Sequence, residues 1–125
     1  MKRLLIVTAM IEVGAGVALL CCPSAAVTLL LGSPLDTPAA VALGRVTGAA
    51  LLALGVACRL AQYDAQSRAA RGLVGGLLFY NAIVVAVLAY AGTALGLSSG
   101  GLWPAAAIHA AMTVWCVASL LRSRR

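Results

Sequence analysis

An all-α integral membrane protein, built as an up-and-down four-helix bundle, is the fold class this sequence predicts, and three observations predict it. Four apolar runs recur, at about residues 4–22, 39–60, 72–91 and 102–121. At a rise of ~1.5 Å per residue, each is long enough to cross the ~30 Å hydrocarbon layer of a bilayer. The chain is 63% hydrophobic and only 10% charged, well outside the range of a soluble domain. Its basic residues, Arg45 excepted, gather at the ends of the apolar runs, where they orient helices. A chain of 125 residues holds one four-span domain, 1–125, and leaves no room for a separate soluble catalytic module. Any chemistry has to happen within the bundle or at its rim, and a non-enzymatic or accessory membrane protein is the first expectation, from the polar group that each span carries.

The first run, Leu4 to Cys22, carries Glu12 in its middle. Met1-Lys2-Arg3 ahead of an apolar run also resembles a secretory signal, with Ser24-Ala25-Ala26 as a passable cleavage site. The length of the run and the acid inside it favour a retained span. Pro23 ends or kinks that span, and Pro23-Ser24 opens a short helix, Ala25 to Leu31, stopped by Gly32. Too short to cross, this helix is expected in the outer interface or as a kinked continuation of the first span. A turn-rich loop follows, and Thr37 or Asp36 then caps the second span, with Pro38 in its first turn. Arg59 to Arg71 is the most polar interior stretch and reads as a loop. The third span ends near Gly92, and the loop from Thr93 to Gly101 has no charge. Trp103 opens the last span at a position suited to an aromatic belt.

Lys2, Arg3, Arg59, Arg68, Arg71, Arg122, Arg124 and Arg125 fall at the N-terminus, the second loop or the C-terminus, whereas the first and third loops have no Lys or Arg. The positive-inside rule therefore places both termini of a multi-pass protein in the cytoplasm. The formal charge of +6 is accounted for in this way. A nucleic-acid surface would need the same residues on one solvated face. Gly44 and Gly48, and Gly72 and Gly76, form two G-x-x-x-G pairs that let helices approach closely, within a tight bundle or across a homo-oligomer contact. The four cysteines lack a C-x-x-C and read as small packing residues. Cys21 and Cys22 would lie at the outer rim, but adjacent cysteines form only a strained ring.

Each span carries a polar side chain that hydrocarbon rejects: Glu12, Arg45, the pair Tyr80-Asn81, and His109. A charged side chain at the bilayer centre costs about 2.5–3.5 kcal/mol on insertion scales, so such residues face protein and mark candidate sites. Counted from the outer ends of the spans at ~1.5 Å per residue, Arg45 and His109 lie roughly 10 Å deep, and Glu12, Tyr80 and Asn81 roughly 15 Å. An up-and-down bundle can gather all five into one polar pocket in its outer half. Glu12 and Arg45 are the expected ion pair, since a guanidinium grips a carboxylate through two parallel hydrogen bonds. Asp36 is the competing partner for Arg45. The same residues also serve as a buried network fixing helix register, the reading in which the protein is a purely structural membrane subunit. One histidine excludes a bis-histidine haem within a protomer. His109 with Met112 or Met10 is a weak haem pair, and no tetrahedral zinc set is present in the sequence. No metal site is expected.

The Glu in the first helix, the run L-L-L-G-S-P-L-D-T-P (Leu29 to Pro38), the run R-V-T-G-A-A-L-L-A-L-G (Arg45 to Gly55), the Tyr80-Asn81 pair and the Trp103-Pro104 then His109 of the last helix resemble small four-helix bacterial inner-membrane proteins grouped with DoxX. The resemblance covers nearly the whole chain and rests on short motifs rich in Ala, Gly and Leu. Members of that group are associated with redox pathways, such as thiosulfate to quinone electron transfer or methylamine utilisation. The resemblance thus implies a quinone or lipid pocket near Arg45 and His109 and a membrane redox partner. The chain is also similar to small multidrug exporters, four-helix proteins with one membrane Glu in the first helix that exchanges protons for cationic drugs. That likeness implies proton-coupled transport through Glu12. Against it stands an Arg45 paired with the acid, which would repel cationic substrates.

Overall fold

The computed structural model describes residues 1–123, and proline, glycine and a few hydroxyl side chains divide these described residues into five α-helices. The first helix, α1 (Lys2–Cys21), stops where Cys22 leaves the helical conformation ahead of Pro23. Pro23 has no N–H to give and occupies the first position of α2 (Pro23–Leu31), where that donor is not needed. Gly32 ends α2 in the left-handed region, φ +78°, the conformation in which a Cβ is penalised. Before α3 (Pro38–Ala61), the Thr37 hydroxyl accepts from the Ala40 N–H at 3.1 Å, so Thr37 and not Asp36 is the cap. The Gln62 side chain donates to the Arg59 carbonyl at 2.7 Å as the chain leaves α3 through a 3₁₀ turn, Gln62–Asp64. α4 spans Arg68–Thr93 and α5 spans Leu102–Arg122.

Helix α4 starts well before the expected span. The Ser67 hydroxyl accepts from the Ala70 N–H at 3.0 Å, and this cap draws Arg68 and Arg71 into the first turn of the helix. The polar stretch between α3 and α4 is thus a short connection, not a long loop. Among the described residues, four helices (α1, the continuous run of α3 with its 3₁₀ turn, α4 and α5) are long and apolar enough to cross a membrane. The chain is a helical bundle with the marks of a multi-pass membrane protein.

The long helices associate in two close pairs, α1 with α3 and α4 with α5, and the two pairs meet more loosely. The first pairing depends on glycine. A Cβ at Gly16 would stand 2.8 Å from the Gly48 carbonyl oxygen, and one at Gly48 would stand 2.8 Å from that of Gly16. Gly55 takes the backbone of Val13 and Ala9 in the same way. Of the two G-x-x-x-G pairs, the one in α3 is therefore used inside the molecule, whereas a Cβ at Gly72 or Gly76 would meet nothing within 4 Å. The two pairs are joined at both ends. At one end Leu4, Leu5 and Ala9 pack with Cys58, Val74, Leu77, Met112 and Cys116 into a buried core. At the other, α2 reaches the connection between α4 and α5. The Ser99 hydroxyl donates to the Leu30 carbonyl at 2.6 Å and accepts from the Leu102 N–H at 3.2 Å. Gly32 and Gly101 pack so closely against the backbones of Ser98 and Leu29 that neither has room for a side chain.

Candidate functional site

Between the two joins the pairs diverge enough to leave a cavity of about 410 Å³, a size typical of small-molecule sites. All five helices contribute to its wall. Apolar side chains such as Leu19, Leu30, Leu51 and Val84 make up most of it, and the polar groups are Glu12, Thr47, Tyr80 and His109. Ile11, Thr47 and Ile108 are both wall residues and exposed, so the cavity opens to the outside of the helices.

Glu12 is brought to this wall by helical spacing. Leu4, Leu5, Thr8, Ala9, Glu12 and Gly16 repeat at intervals of three and four residues and form the buried face of α1. Glu12 is 3% exposed, and the Tyr80 hydroxyl stands 3.4 Å from its Oε2, a long contact directed at the carboxylate. Tyr80 and His109 meet edge to face with ring centroids 5.8 Å apart.

Asn81 is buried beside the wall and sets the state of His109. Its amide nitrogen donates to the Leu77 carbonyl at 2.7 Å, one turn back on α4. A carbonyl only accepts, so the amide oxygen is the atom facing His109, 2.7 Å from Nδ1. Nδ1 must then carry the hydrogen, and Nε2 of the neutral ring is left as a bare acceptor. The Thr113 hydroxyl, one turn farther along α5, donates to the His109 carbonyl at 2.8 Å.

Four of the five expected site residues are thus brought together: Glu12, Tyr80 and His109 on the wall and Asn81 behind it. Arg45 is not among them. It is exposed on α3, and the expected Glu12–Arg45 pair is not formed; the polar partner of Glu12 among the described residues is Tyr80. The reason is helical phase. Thr47, two residues on, faces the cavity, and at about 100° per residue Arg45 points roughly 200° away from it. Asp36 is also exposed. The haem pairs do not fit this arrangement. His109 and Met112 stand within one turn on the same helix and cannot grip a haem from opposite faces, and Met10 is exposed in a separate groove along α1. That groove, of about 610 Å³, has Arg59 and Gln62 among its lining residues and takes in none of the five site residues.

The sequence offered no signal for Thr47, which resembles any lipid-facing threonine until the pairing face of α3 is known. Leu30 was equally hidden, because α2 read as an interfacial piece and not as part of a wall. Compared with protein-family models, curated proteins and solved structures, the chain matches none.

Proposed function

We propose that this chain is a DoxX-like inner-membrane protein whose cavity binds a lipid-like or quinone-like molecule, in support of a membrane redox partner. It stands as an up-and-down four-span bundle with α2 in the outer interface and both termini in the cytoplasm. The observation that carries the reading is the cavity itself: an apolar space at mid-helix depth where three helices converge a carboxyl group, a phenol and an imidazole. A structural network would fill that space with side chains, because an apolar void forfeits packing energy. Mass spectrometry of lipids and quinones co-purified with the protein tests the proposal. Enrichment of one species over the bulk membrane is expected, together with its loss in Ala105→Phe, which fills the cavity. A ligand profile equal to that of the bulk membrane in both proteins overturns it.

A second reading, proton-coupled transport of a small molecule through Glu12, is favoured by one observation. With Arg45 turned outward, no fixed cation among the described residues pairs with the acid, so none there repels a cationic substrate. Substrate-driven proton flux in liposomes that Glu12→Gln abolishes is the expected signature. Flux unchanged in Glu12→Gln excludes it.

A further inference from the structure

The hydrogen-bonding capacity of the cavity wall is one-sided. The Thr47 hydroxyl hydrogen is committed to the Leu43 carbonyl at 2.9 Å, which leaves the oxygen lone pairs. The hydrogen of His109 is committed to Asn81 through Nδ1, which leaves the Nε2 lone pair. The Tyr80 hydroxyl is directed at Glu12, whose carboxylate is itself an acceptor. Backbone N–H groups of the lining helices are engaged within those helices. Three helices thus offer acceptors to the cavity, and with Glu12 ionised and the Tyr80 hydroxyl turned to it, no wall group among the described residues has a further hydrogen to give.

Resting on the cavity reading above, we infer that the site selects an apolar molecule whose polar head carries hydroxyl hydrogens, a phenol- or alcohol-type amphiphile, over one whose head only accepts hydrogen bonds. The asymmetry follows from satisfaction. A hydroxyl entering this wall finds acceptors at Glu12, Thr47 and His109, whereas a carbonyl or ether oxygen finds no donor and leaves itself and the wall unpaired in an apolar surround. Thr47 and His109 are uncharged acceptors, so the shared demand is for a hydrogen and not for positive charge. The proposal divides the two oxidation states of a quinone-like ligand: the diol form fits the wall and the dicarbonyl form does not. Asn81 is the positioning residue, since it holds the His109 hydrogen away from the cavity.

The test is a matched pair of probes, 4-nonylphenol and 4-nonylanisole, which differ only in replacing O–H by O–CH₃. Binding is measured calorimetrically to the full chain in lipid nanodiscs at about pH 8, where an imidazole is ordinarily neutral, with empty nanodiscs subtracted. The phenol is expected to bind about tenfold more tightly than the anisole, the worth of one satisfied hydrogen bond. Thr47→Val and Asn81→Leu should each narrow that ratio, while the comparison on the unsubstituted protein needs no variant to fold. Equal binding of the two probes overturns the donor preference and leaves the cavity reading standing. Absence of binding by both overturns the cavity reading with it. Decylamine is the third arm. If it alone binds, with phenol and anisole indistinguishable, the site is a cation site at Glu12 and the hydroxyl proposal is overturned.

Discussion

At the scale of single residues, the arrangement of Asn81 makes a spectroscopic prediction. Because its oxygen fixes the hydrogen of His109 on Nδ1, the ¹⁵N shifts of the ring should report the Nδ1–H tautomer in the intact protein. Asn81→Leu should give a mixture dominated by the commoner Nε2–H form; an unchanged spectrum in that variant would show that Asn81 does not set the tautomer. Thr8 makes an opposite kind of prediction. Its hydroxyl is 1% exposed and has no hydrogen-bond partner among the described residues. An unpaired buried hydroxyl costs about 1–3 kcal/mol, so the near-isosteric Thr8→Val should raise the thermal midpoint in detergent, and a lowered midpoint would count against the unpaired state. Glu12, Tyr80, Asn81 and His109 were legible in the sequence because each is polar inside an apolar run. The fate of Arg45 was not, because the face of α3 that meets the rest of the molecule is chosen by glycine contacts with α1, and those involve both helices at once.

At the scale of the elements, the helix limits at Pro23, Gly32 and Thr37 followed from local chemistry that the sequence states openly. The start of α4 did not, since a stretch with three arginines reads as solvated loop until the Ser67 cap is seen. The glycine pairs show the same division. G-x-x-x-G announces the capacity for close approach, and only the fold says which copy is used. Gly16→Ala and Gly48→Ala should each destabilise the purified bundle, by about 1–3 kcal/mol, because the added methyl meets backbone that cannot swing aside. Gly72→Ala and Gly76→Ala should be close to neutral, within about 0.5 kcal/mol. Thermal unfolding of the four variants in one detergent checks the contrast. A large loss at Gly76 instead would reveal a contact of α4 with a second copy.

At the scale of the whole molecule, the cysteines provide a built-in test of orientation. Cys21 and Cys22 are exposed where α1 gives way to α2, whereas Cys58 and Cys116 are buried in the core at the opposite end. If both termini are cytoplasmic, as proposed, a membrane-impermeant maleimide should label intact spheroplasts at Cys21 and Cys22, and Cys21→Ser with Cys22→Ser should abolish the signal. Labelling confined to inverted vesicles would reverse the topology. Arg122 belongs to the described charge pattern behind this orientation, and Arg124 and Arg125, which also contribute to it, lie outside the described residues. The double fastening of the helix pairs has a mechanical consequence of its own. Riveted through the Leu4–Cys116 core below and through Ser99 and Leu30 above, the two halves are arranged like planks nailed at their ends, with the gap between them confined to the middle. A guest slipping in sideways would therefore be gauged by its thickness, and the protein could admit and release it without ever coming undone.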